Sequence, residues 1–244
     1  MTSTVGTDPT TGAEEDLARS AVWALLSQTL TYPTPASVAQ LVEEDLPFTE
    51  VMAVLLPSAI RSAVGDIRAA FEGLGVDELE AEHRRVFSHV HSADCPPFET
   101  DYTSRDVWRQ SEQLADLSGF YHAFGVEACM ERPDHVSVEL EFLHVLRYKA
   151  AWAARHDQAE HVGTCHAAAE TFLRDHVARW LPSFADRLEA LGGEGPYGAV
   201  ARLLSTALRT EAERLKVEIG EPVIPVSPSG DERVMGERGL CEGS

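Results

Sequence analysis

Residues 133–156 read PDHVSVELEFLHVLRYKAAWAARH, a proline and an aspartate ahead of the most apolar helical stretch in the chain. After Pro133 the run meets no further proline or glycine, so it is too long for a strand and suits a helix of several turns. Asp134 stands where an N-cap carboxylate would accept from free helix N–H groups, and such a carboxylate keeps a second oxygen for another partner. Glu139 and Glu141 are two apart and point in different directions, which removes a simple helical di-iron or glycosidase pair.

Working outward, the same helical text recurs on both sides. Downstream, Asp157 with Glu160 is expected to start QAEHVGTCHAAAETFLRDHVARWL, Pro182 to open SFADRLEAL, and GGEGP to precede the last helix, YGAVARLLSTALRTEAERLKVEI. Upstream, Ser104 is expected to cap RDVWRQSEQLADLSGFYHAF, which closes at Gly125, and Asp77 with Glu80 to cap DELEAEHRRVFSHV. Pro57 breaks or kinks a longer stretch that ends at Gly73 and Gly75. A capping box at Thr11 and Glu14 opens a first amphipathic helix through Leu17, Val22, Leu25, Leu26 and Leu30, which TYPTP stops. No convincing alternating strand and no internal repeat interrupts this series. The expected fold is all-α, a single-domain bundle of roughly nine helices over residues 14–219. Residues 1–13 are expected to be a flexible leader, and 220–244, rich in Pro, Gly, Ser and charge, an extended or disordered tail.

With 244 residues, 44% of them hydrophobic, the chain can build one large core. Its 40 acidic residues against 20 basic ones, a net charge of -20, argue against a nucleic-acid backbone as partner and suit a basic peptide. Lysine occurs only at Lys149 and Lys216 and the acids are spread along the chain, so diffuse solubility, as in a high-salt cytoplasm, competes with that reading. Cys95, Cys129, Cys165 and Cys241 form no CxxC pair, and reduced cytoplasmic thiols are expected. No secretory signal and no apolar run approaching the ~20 residues of a membrane span is present, so neither export nor membrane insertion is expected.

The chemistry-bearing residues are sparse. His89, His91 and Cys95 make one short run and His161, Cys165 and His166 share a helical face, but neither is a full tetrahedral metal set. Cys95 as nucleophile would need an activating base, a nucleophile elbow is absent, and no phosphate-cradling glycine pattern occurs, so no catalytic residue, metal or cofactor is expected. What stands out is the loop CPPFETDY at 95–102, with rigid prolines, two aromatic faces and Glu99, and the start of the apolar helix with Asp134 and His135. A metal- or cofactor-handling enzyme and a general helical adaptor remain alternatives at this point.

EHRRVF at 82–87 followed by CPPFETDY, then ERPDHVSVELEFLHVL at 131–146 and FLRDHVARWLPSFADRL at 172–188, resembles the TorD/DmsD/NarJ family of redox-enzyme maturation chaperones. The resemblance implies an all-helical cytoplasmic chaperone that is not an enzyme. Its partner would be the catalytic subunit of a molybdopterin oxidoreductase of the dimethyl-sulfoxide-reductase family, engaged through a twin-arginine leader until the cofactor is loaded. It places Phe87, Pro97, Phe98, Tyr102, Asp134 and His135 near the peptide groove. A guanidinium pair followed by an apolar stretch calls for carboxylates at one end of an apolar groove, for which Asp134 and Glu99 are the candidates, with Phe98, Tyr102, Phe142 and Leu146 as the apolar lining.

Overall fold

The computed structural model describes residues 9–42, 55–87, 94–129 and 131–225. They form α1 (Pro9–Leu30), α2 (Pro35–Val42), α3 (Ser58–Phe71), α4 (Val76–Phe87), the single turn α5 (Thr100–Thr103), α6 (Val107–Ala123), α7 (Val136–Arg155), α8 (Ala159–Phe172), a π-helical turn (Leu173–Val177), α9 (Ala178–Gly192) and α10 (Pro196–Leu215). Because α8, the π turn and α9 form one continuous rod, the chain is an all-α bundle of nine helical bodies among the described residues, with no strand beyond one isolated bridge.

The apolar run at 133–156 is the central helix, α7. It buries Val136, Leu140, Phe142, Leu143, Leu146 and Ala150 and packs against α1 on one side and α8 on another. The return rod pairs α9 with α10, and α10 leans on α3. Trp23, Trp180, Tyr121, Tyr197, Phe172 and Phe184 are fully enclosed, so large rings from five different helices fill the centre. The α9–α10 hairpin closes so tightly that a Cβ at Gly192 or Gly198 would collide with the facing backbone, which explains glycine at both positions.

Gly73 and Gly125 take positive φ just beyond α3 and α6, as expected of helix exits, and Pro196 occupies the first position of α10. Several expected caps move. α1 begins at Pro9, so Thr11 and Glu14 lie inside it rather than at its cap, and residues 9–13 of the expected leader are helical. Asp106, not Ser104, caps α6, accepting from Trp108 N–H at 2.8 Å, while Ser104 Oγ accepts from Asp106 N–H. Asp157 sits at positive φ between helices and α8 starts after Gln158. Pro182 lies within α9 rather than at its start.

That last correction has a structural partner. A proline at 182 cannot donate to Ala178 O, and the helix there is preceded by the π turn, in which the backbone pairing is already shifted. The vacant Ala178 carbonyl accepts instead from Gly220 N–H at 2.9 Å, and Ser183 Oγ accepts from Val223 N–H at 2.8 Å. Gly220–Pro225 carries no secondary structure and is fastened to α9 at these two points; the remainder of the expected tail, 226–244, lies outside the described residues.

Candidate functional site

CPPFETDY is fastened to the start of α7 by backbone pairing. Glu99 N–H donates to Asp134 O at 2.9 Å and Val136 N–H to Pro97 O at 2.8 Å, giving an antiparallel bridge between Phe98 and His135. The two prolines bring no N–H to a crowded edge, and the chain then turns into α5.

The cap of α7 is His135, not Asp134. Its Nδ1 accepts from Ser137 N–H at 3.2 Å and from the Ser137 hydroxyl at 2.7 Å, which leaves the ring proton on Nε2. Burial holds the His135 pKa down at about 4 against the opposing charge of Asp134. Asp134 instead turns back to the loop: Oδ2 accepts from Thr100 N–H at 3.3 Å, Thr100 Oγ1 at 2.7 Å and Arg132 Nη2 at 2.9 Å, and Oδ1 from Arg132 Nε at 3.0 Å. Arg132 also donates to Thr100 Oγ1 at 3.0 Å and lies 4.4 Å above the Phe98 ring.

Below this layer is a second acidic group. Glu99 Oε2 is 3.0 Å from His176 Nδ1, and Glu139 Oε2 accepts from Trp180 Nε1 at 3.0 Å. The other oxygen of each glutamate has no hydrogen-bond partner among the described residues, although both side chains are fully buried. Burial and then the neighbouring Glu99 charge push the Glu139 carboxyl well above its ordinary range, against the Trp180 hydrogen bond. His176 belongs to the π turn, and its Nε2 lies 3.3 Å from the exposed Asp116 carboxylate without forming a hydrogen bond.

Of the expected site residues, Pro97, Phe98, Glu99, Tyr102, Asp134 and His135 are brought together here, with Tyr102 against Trp180. Phe142 lies just beneath, in a ring cluster with Phe120, Tyr121, Phe124 and Phe172. Phe87 is set apart with His83, Phe184 and Tyr197, and Leu146 is enclosed in the core. Glu99 and Asp134 are both 0% exposed, so as placed they are sealed by the protein's own groups rather than displayed on a surface. Sequence reasoning passed over Arg132, Thr100, His176 and Trp180 and set Glu139 aside after weighing it only against Glu141, because this group is assembled from distant segments. The one local signal was Pro182 shortly after His176, marking an irregular helix.

Next to the cluster, α6, the segment after it and α7 line a cavity of about 270 Å³ that is open to solvent on one side. Tyr121, Val126, Ala128, Val138, Phe142 and Val145 give it an apolar wall, and the exposed Glu127 and Glu141 add carboxylates. Tyr121 links it to the connection before α7, donating to Pro133 O at 2.7 Å.

The remaining candidates have structural occupations. His161 faces Gln158 at 2.9 Å while His166 faces Asp16 at 2.7 Å, and no group of three possible metal ligands is found among the described residues. His89 and His91 lie outside the described residues. Burial pushes the Cys95 thiol up to about 12, far from a thiolate nucleophile. No described helix is long and apolar enough to cross a membrane. A second buried polar group joins α1, α7 and α10: Arg147 reaches Asp16 at 3.3 Å and pairs with Glu211, which also binds Arg214 at 2.7 Å. Burial depresses the Arg147 guanidinium, whereas at Glu211 the hydrogen bond from Arg214 and the charges of Arg147, Arg214 and Arg19 outweigh burial and hold the carboxyl low. Arginine stays protonated regardless, so the carboxylate reports the balance: the pair is ionised.

Residues 55–186 match the family described as nitrate reductase delta subunit. A similar protein is the chaperone protein TorD of Vibrio cholerae, 30% identical over 132 residues, which are 52% of this chain and 57% of that protein. The chlorate reductase assembly chaperone of Ideonella dechloratans is 36% identical over 145 residues, covering 58% of this chain and 72% of its own. The selenate reductase assembly chaperone of Thauera selenatis is 34% identical over 149 residues, with 59% and 76% covered. The chain thus spans little more than half the length of the Vibrio protein.

Proposed function

Because this chain belongs to the nitrate reductase delta subunit family, we propose that it is a non-catalytic assembly chaperone in the cytoplasm for the catalytic subunit of a molybdopterin-containing oxidoreductase. It engages that subunit through a leader carrying consecutive arginines and an apolar segment, and holds it until the cofactor has been inserted. The observation that carries this reading is the apolar cavity at Tyr121, Val138 and Phe142 with Glu127 and Glu141 at its wall, beside the loop fastened to α7. An apolar peptide face can bury itself there while guanidinium groups meet carboxylates, the two halves of such a leader's chemistry. Phe98, Pro97 and His135 form the adjoining edge, and Glu99, Tyr102, Asp134, Phe87 and Leu146 support it from within.

Calorimetry of the full chain against a molybdoenzyme leader peptide, and against the same peptide with Lys-Lys in place of Arg-Arg, tests the reading. The arginine form is expected to bind and the lysine form to bind more weakly. Absence of binding to any molybdoenzyme leader or catalytic subunit would remove it.

A further inference from the structure

Arg132 makes a complete set of contacts of the kind a bound guanidinium would make. Its Nε and Nη2 meet the two oxygens of Asp134 at 3.0 and 2.9 Å, Nη2 also donates to Thr100 Oγ1 at 3.0 Å, and its guanidinium carbon lies 4.4 Å from the centre of the Phe98 ring. The receiving carboxylate is 0% exposed, but the Arg132 side chain is 44% exposed, so the cradle opens to solvent in the one direction its occupant fills. A desolvated carboxylate with a fork-shaped geometry, a hydroxyl and an aromatic face selects a guanidinium over an ammonium. Arg132 lies in the short connection before α7 rather than in a helix, so its departure breaks no helical turn.

We propose that Asp134, Thr100 and Phe98 form a guanidinium-binding subsite that Arg132 occupies in the free protein and yields to an arginine of an incoming peptide. Arg132 is then a built-in competitor. A single external arginine gains little by replacing it, whereas an arginine attached to an apolar segment that fills the neighbouring cavity gains the apolar contact as well, so isolated arginine residues are rejected. The peptide half of this proposal rests on the leader-binding reading above; the cradle itself does not.

The test uses the full chain carrying Arg132→Ala. Millimolar methylguanidinium is expected to raise its melting temperature relative to its effect on the unaltered protein, and methylammonium is not. Absence of any guanidinium-selective rescue overturns the subsite. The variant is also expected to bind an Arg-Arg leader about tenfold more tightly than the unaltered protein, the worth of one displaced charge-assisted contact, with the Lys-Lys leader unchanged. Equal or weaker affinity for the Arg-Arg leader overturns the competitor role. Rescue by methylguanidinium without leader binding by either protein supports the cradle and removes the leader reading instead. Should Arg132→Ala not fold, the Arg132 Nε–H resonance of the unaltered protein decides: at leader saturation it is expected to move to the position and fast water exchange of a free guanidinium, and retention of its bound shift overturns the proposal.

Discussion

Two buried polar groups in this molecule differ in their charge balance. Where α1, α7 and α10 meet, Asp16 and Glu211 face Arg147, with Arg214 and Arg19 adding positive charge from the edge. Under the CPPFETDY loop, Glu99 and Glu139 share a space with His176 and Trp180, and among the described residues no guanidinium reaches them and each leaves an oxygen without a hydrogen bond. The first arrangement is a clamp whose charges cancel locally, although Arg147 Nε makes no hydrogen bond there. The second leaves acidic oxygens under-satisfied and without an opposing guanidinium among the described residues, a condition that native cores rarely tolerate away from functional sites. It also lies under the loop and at the π turn, a helical irregularity that recurs at such sites. The comparison separates a polar group kept for the fold from one kept for another purpose, and four measurements press on it.

The largest effect is expected at the clamp. Arg147→Met strands Asp16 and Glu211 in the interior, and breaking a buried pair from one side costs about 3–5 kcal/mol; denaturant unfolding should show that loss, and a change under about 1 kcal/mol would mean the clamp is hydrated and weak. His135→Asn comes next. The folded His135 pKa is about 4 against 6.5 for the free ring, so the unfolded chain takes up a proton that the folded one refuses. Stability is therefore full above pH 6.5 and falls as the pH drops toward 4, with a slope of up to about 1.4 kcal/mol per pH unit from this one group. Asparagine keeps a capping oxygen, so the variant should lose that part of the acid slope while remaining folded at neutral pH. The slope owed to His83, whose pKa burial and Arg84 also lower to about 4, should persist.

Glu139→Gln is expected to act with the opposite sign. The folded carboxyl is raised, so its favourable contribution is complete below the unfolded value and is lost as the pH rises through the folded one. Glutamine keeps an acceptor for Trp180 and has no proton to lose, so thermal melts above neutral pH should find the variant no less stable and better by something on the order of 1 kcal/mol. A loss as large as that at Arg147 would place this acid among the structural ones. The smallest change is expected from ending the chain after Gly220. That removes the Val223 N–H to Ser183 bond but keeps Gly220 N–H on Ala178 O, so unfolding experiments should lose about 1 kcal/mol or less. Collapse of helicity would show that the segment belongs to the core.

Particular residues show why the fold was more legible than the site. Gly125 and Gly73 read correctly because positive φ is a local demand, visible one residue at a time. Asp134 read as a cap and is not one, because Thr100, 34 residues away, and Arg132 compete for its oxygens and leave the cap to His135. Glu139 was set aside for pointing away from Glu141, which holds; its neighbours Trp180 and Glu99 come from other segments and leave no trace in helical spacing. Pro182 read as a helix start, since nothing local announces that Gly220 will supply the missing donor.

Sequence alone determined that this chain is a helical bundle centred on 133–156 and that the loop at 95–102 is its irregular feature, because helix formation and termination depend on residues within a turn or two of one another. Only the tertiary structure decided which acids are neutralised, which are stranded and that an arginine already occupies the Asp134 carboxylate. Those outcomes depend on desolvation and on charges brought together from distant parts of the chain, and both exist only once the helices have packed.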